Sequence, residues 1–110
     1  MKTLNMNEYQ RLAARTINPG LTPEETTRHA LFGLAAEVGE VTGLFQKELQ
    51  GHPLELEDLK KEVGDCLWMI AELCTAFDWE LGDVGMMNIE KLKRRYPDGF
   101  SEEKSRHRNE

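Results

Sequence analysis

The sequence predicts an all-α protein, an antiparallel bundle of about four helices completed by dimerisation. Three observations carry this reading. Leu, Ala, Glu, Met and Lys dominate, β-branched residues are scarce and only 7% of residues are aromatic, a composition that favours helices. Apolar residues recur at helical rather than alternating spacing. The periodic stretches are long and the breaks between them short, which makes consecutive helices antiparallel neighbours. A chain of 110 residues suits one domain, placed at 1–100, with a polar tail at 101–110.

Each element has its own signal. Asn5 with Glu8 resembles a capping box, and Tyr9, Leu12, Ala13 and Ile17 mark a short amphipathic helix before Asn18-Pro19-Gly20 breaks the chain. Thr22-Pro23-Glu24-Glu25 is a strong helix start: Thr22 caps, Pro23 suits the first turn, and Glu25 closes the box. The second helix runs to about Gln50, with Leu31, Leu34, Val38, Val41 and Phe45 on one side, and Gly51-His52-Pro53 ends it. The third runs from about Leu54 to Phe77, its stripe being Leu56, Leu59, Val63, Cys66, Leu67, Ile70, Cys74 and Phe77. The fourth covers roughly Leu81 to Arg95, with Val84, Met87 and Leu92 inward, and stops at Tyr96-Pro97-Asp98-Gly99-Phe100. Residues 101–110 read as extended or disordered. The stripes are long for one small bundle, so pairing of two chains through the long helices is expected.

Charge and composition exclude several functions. The net charge of -6 argues against sequence-independent binding to a nucleic-acid polymer, which needs a basic face. No apolar run approaches the ~18 residues of a membrane span, and the first residues lack the apolar segment of a signal peptide. A cytoplasmic location is therefore expected. Cys66 and Cys74 are the two cysteines; eight positions apart on one helix they are too distant for a disulfide and read as small core residues. His29, His52 and His107 show no zinc spacing.

The chemistry concentrates in carboxylates. Glu37-Val38-Gly39-Glu40 lies on the second helix and Glu62-Val63-Gly64-Asp65 on the third, matching positions being 25 apart. Acids at i and i+3 share a helix face. On a wheel of about 100° per residue each pair flanks its apolar stripe on the same side, so packed stripes bring four carboxylates to the edge of the core. Such acids repel and resist desolvation, and a divalent cation relieves both costs. All-oxygen ligation suits Mg²⁺ or Mn²⁺ ahead of zinc. Gly39 and Gly64 sit inside helices, where each costs ~1 kcal/mol relative to Ala. Close approach of backbone or ligand would explain them, and Gly33 suggests the same one turn earlier. The competing reading is an ordinary charged helix face.

Weaker candidates surround this constellation. Asn88 and Lys91 share a face of the fourth helix, followed by Arg94, Arg95 and Tyr96; they suit phosphate oxygens, or simply the cationic end of a helix. Trp68 and Trp79 could stack on a base, though packing is the commoner role. Met69, Met86 and Met87 read as core filler.

Glu37-x-x-Glu40, a gap of 21 residues, then Glu62-x-x-Asp65 resembles the signature of the MazG-like nucleotide pyrophosphohydrolases of the all-α NTP pyrophosphohydrolase superfamily. The likeness extends through Gly33–Glu40, Glu62–Trp68 and Asn88–Pro97, and covers roughly residues 7–100. It implies a helical homodimer or dimer of dimers. The implied reaction is Mg²⁺-dependent cleavage of a (d)NTP to the monophosphate and pyrophosphate, for nucleotide-pool cleaning or regulation. Mn²⁺ is a possible substitute. Carried over by position, Glu37, Glu40, Glu62 and Asp65 are the metal ligands, and one glutamate also orients or deprotonates the attacking water. Asn88 and Lys91 contact phosphates, with Arg95 and Tyr96 beside them. Trp68 is a base contact only through its proximity to Asp65. The alternatives are a sibling hydrolase of another phosphoanhydride, such as phosphoribosyl-ATP, and a non-catalytic helical binding module.

Overall fold

Helix caps set the boundaries. The computed structural model describes residues 3–108, and the ends of the chain and of the tail (1–2 and 109–110) lie outside that description. Asn5 accepts from the backbone N–H of Glu8 to open α1 (Met6–Ala14), while its amide also contacts the Glu8 carboxylate. Thr22 and Glu25 form the reciprocal capping box that opens α2 (Pro23–Leu49). α3 (Leu56–Ala76), α4 (Leu81–Arg95) and α5 (Glu102–Arg106) follow. The described residues contain no strand, and none of their helices is long and apolar enough to cross a membrane.

α2 and α3 end in the same way with different residues. Beyond α2, His52 N–H bonds to the Lys47 carbonyl and Gly51 N–H to that of Glu48. Beyond α3, Trp79 N–H bonds to the Cys74 carbonyl and Asp78 N–H to that of Thr75. Both are Schellman closures, which need a left-handed residue. Gly51 supplies it at φ 95° and Asp78 at φ 58°.

The α2–α3 hairpin forms the main packing unit, and α1 lies across α3 and reaches α4. Ala71, Cys74 and Leu81 are buried with Tyr9 and Ala13 against them, and Ala30 is buried on α2. α1 also caps α4. The Gln10 and Asn7 side-chain oxygens accept from Leu81 N–H at 2.7 Å and Gly82 N–H at 2.8 Å, two of the donors that a helix start leaves without an internal partner.

The structure corrects several sequence expectations. Residues 102–106 form a short helix capped by Ser101, where an extended or disordered tail was expected: a serine followed by two glutamates is itself a helix-start signal. Val84 and Met87 face outward, as does Met86, and of the large apolar side chains of α4 only Leu81 and Leu92 turn in. α4 rests on the short α1, which is too small to cover a full stripe. The long stripes split likewise. Leu34, Val41, Leu59, Cys66 and Cys74 are at least half-buried, while Leu31, Val38, Phe45, Leu56, Val63, Leu67, Ile70 and Phe77 remain exposed. Both cysteines are free.

Candidate functional site

The antiparallel hairpin brings one face of α2 against one face of α3, and the acids meet along that seam. Carboxylate oxygens of Glu37, Glu62 and Asp65 lie within 4.8 Å of one another, with Glu37 and Glu62 half-buried and Asp65 exposed. Glu40 is exposed and stands outside this trio, one turn further along α2. Its charge still reaches Glu37. The Glu37 carboxyl is pushed above the ordinary carboxylate range, first by desolvation, then by the charges of Asp65 and Glu62, a hydrogen bond with Glu62 and the charge of Glu40. The ion pairs of Arg28, His29, Lys60 and Arg106 all go to acids outside the trio. Three clustered carboxylates are a donor set that fits a hard divalent ion; Mg²⁺ or Mn²⁺ suits it, and a cluster of oxygen donors without thiolate or imidazole disfavours softer metals.

The glycines divide. A Cβ at Gly39 or Gly64 would meet no described residue from outside its own helix turn within 4 Å. At Gly33 the Met69 sulfur would lie 2.5 Å from such a Cβ. The close approach expected near the acids therefore falls at Gly33, one turn before Glu37, where Met69 crosses α2.

α1 packs on α3 beside the seam. The Trp68 indole N–H donates to the Thr16 hydroxyl at 2.9 Å and the Ala13 carbonyl at 3.2 Å, so its polar handle ties α1 to α3. The Tyr9 phenol is pushed up by burial and by the negative charge of Asp65, which places α1 within the field of the acids. Trp79 is half-exposed and stacks on Phe77 with centroids 4.8 Å apart.

The expected phosphate contacts lie on α4. Asn88 is exposed and Lys91 half-buried, and the structure gives neither a hydrogen bond nor an ion pair with the acids. The Arg95 guanidinium sits 5.7 Å from the Tyr96 ring centre. The Tyr96 phenol is held below its usual range, chiefly by a hydrogen bond with the Ser105 side chain. A cleft of about 650 Å³ opens at the start of α4, lined by Asp78, Trp79, Glu80, Asp83, Val84 and Met87; none of the four acids lines it.

Sequence reasoning missed one pair. Glu72 is fully buried on α3 and holds His29 of α2, whose Nδ1 lies 2.7 and 2.9 Å from its two carboxylate oxygens. The signal was present: Glu72 is an acid within the apolar run Cys66–Phe77, seven positions and two turns beyond Asp65 on the same face.

The fold and the trio define a class, an all-α helical bundle with a carboxylate cluster suited to a hard cation. The profile of the MazG nucleotide pyrophosphohydrolase domain matches residues 25–100, and the chain belongs to that family. It is also 30% identical over 101 residues to the Gene 37 protein of Mycobacterium phage L5, a match spanning 84% of this chain and 89% of that protein. No solved structure matches the chain.

Proposed function

We propose that this protein is a Mg²⁺-dependent nucleoside triphosphate pyrophosphohydrolase acting on a (d)NTP in the cytoplasm, releasing the monophosphate and pyrophosphate. The observation that carries the proposal is the trio of Glu37, Glu62 and Asp65, whose carboxylates gather within 4.8 Å beside the seam, in a chain of the MazG family. These three residues hold the ion. When bound, Mg²⁺, or Mn²⁺ in its place, supplies Lewis acidity and neutralises phosphate charge. Glu40, exposed one turn along, completes the set and orients or deprotonates the attacking water. Asn88, Lys91, Arg95 and Tyr96 contact phosphate oxygens, and Trp68 forms a fixed wall towards the base.

The working particle is a homodimer or a dimer of dimers of single-domain chains, each domain spanning residues 1–100. Leu31, Val38 and Phe45 recur every seven residues on α2, as do Val63, Ile70 and Phe77 on α3, and all six are exposed. The radius of gyration is 17.1 Å, against about 13 Å for a compact chain of this length. A second copy covering these stripes accounts for both observations.

The test is product analysis on a panel of NTPs and dNTPs, with Mg²⁺ and with EDTA, using Glu62→Gln as control. Mg²⁺-dependent monophosphate and pyrophosphate, lost in the variant, support the proposal. Turnover only of another phosphoanhydride would move the substrate assignment. Metal-dependent stabilisation with no product from any substrate would favour a binding module.

A further inference from the structure

The α2–α3 seam carries three successive levels. Glu37 meets Glu62 and Asp65, Gly33 lies under Met69, and His29 meets Glu72. At 1.5 Å per residue, His29 stands about 12 Å along α2 from Glu37, and Glu72 about 10 Å along α3 from Asp65. That separation is comparable with the reach of a nucleoside from its α-phosphate to the far edge of its base.

The pair is built to present one nitrogen. Both Glu72 oxygens engage Nδ1 of His29, and the carboxylate has no solvent exposure. The His29 side chain is 51% exposed, and its Nε2 has no hydrogen bond among the described residues. Trp68 meets the ring edge to face at 6.3 Å, and is itself pinned to the end of α1 and to Thr16 just beyond it, which limits rotation of the imidazole. An imidazole held at one nitrogen by a carboxylate offers the other in a set direction. Fold stability alone does not ask for this arrangement, since apolar residues of similar volume commonly serve a buried ion-pair position as well or better.

We infer that His29 is a specificity-determining residue, its Nε2 hydrogen-bonding the edge of the nucleobase when the phosphates lie at the acid trio, with Glu72 as its positioning residue. The inference rests on the nucleotide reading above and deepens it by naming the base-end contact.

The experiment measures kcat and KM for the four dNTPs with wild type, His29→Gln, Glu72→Gln and the doubly apolar His29→Leu/Glu72→Met. The double variant removes the buried charge, so folding is preserved where a single change is disruptive. A parallel spectrum of ¹⁵N-histidine-labelled protein in Mg²⁺ compares an α,β-imido dNTP with inorganic tripolyphosphate. We expect KM for the favoured dNTP to rise about tenfold, the scale of one lost hydrogen bond to a buried partner, with kcat and Mg²⁺ affinity little changed and the ranking of bases flattened. The His29 Nε2 resonance should move with the imido nucleotide and stay still with tripolyphosphate. An unaltered ranking in the folded double variant, with the wild type active, overturns the inference and leaves the function standing. A wild type that neither turns over nor binds any nucleotide overturns both.

Discussion

Two acid groups lie along the α2–α3 seam, Asp65 of one and Glu72 of the other being two turns apart on α3, and the fold treats them oppositely. Glu72 is wholly buried, yet both of its oxygens are satisfied by one imidazole supplied from α2. Glu37, Glu62 and Asp65 are nearer the surface, yet they face one another and push the Glu37 carboxyl upward. Burial alone would pick out Glu72 as the anomalous carboxylate. Balance of charge picks out the trio. An acid that the chain has already partnered is complete as it stands, whereas three that repel form the arrangement on which the proposed cation site rests.

The largest expected effect breaks the comparison at the trio. Glu37→Gln, Glu62→Gln or Asp65→Asn should each lower Mg²⁺-dependent turnover at least about 100-fold, more than the usual loss when only an outer partner of a ligand is removed. Product assays at saturating Mg²⁺ check this, with circular dichroism to confirm the helices. At the other group the effect is on stability. His29→Leu leaves the Glu72 charge buried and unpaired, which should cost about 3 kcal/mol, read by urea denaturation. Adding Glu72→Met should restore most of it.

The pH dependence sharpens the same contrast. The Glu37 carboxyl is raised by desolvation and by its acidic neighbours, so the folded chain binds that proton more readily than the unfolded chain. Its stabilising contribution is full below the ordinary carboxylate range and is lost as pH rises through the raised value. Metal-free protein should therefore gain thermal stability from this group as pH falls through that window. Glu25 works in the opposite sense, its carboxyl being lowered first by the Thr22 backbone hydrogen bond. The contribution of Glu37 is thus the difference between wild type and Glu37→Gln, and saturating Mg²⁺ should abolish it. The smallest effect concerns the two Schellman closures. Asp78→Gly should stabilise by about 0.5–1 kcal/mol, because left-handed backbone strains residues with a Cβ and not glycine; a thermal melt reads it.

Much of the fold was legible because its signals are local. The Thr22–Glu25 box, Pro23, Gly51 and the break after Arg95 are short-range devices, and they fixed the element ends to within a residue or two. The face shared by Glu37, Glu62 and Asp65 was legible because the helical period is rigid over one turn. Other features depended on tertiary placement. The outward turn of Val84 and Met87 follows from how little of α4 the short α1 can cover. The separation of Glu40 from the trio depends on how the two helices cross, which a wheel does not specify. The His29–Glu72 pair joins residues 43 positions apart, and only the register of the hairpin brings them together.

Calorimetric titration of metal-free protein with Mg²⁺, with Mn²⁺ as a spin probe, tests the central contrast most directly. One class of site is expected in wild type, lost in Glu37→Gln and Asp65→Asn and kept in Glu72→Gln. Binding that survives both trio substitutions, or that disappears in Glu72→Gln while the helices remain, would contradict it.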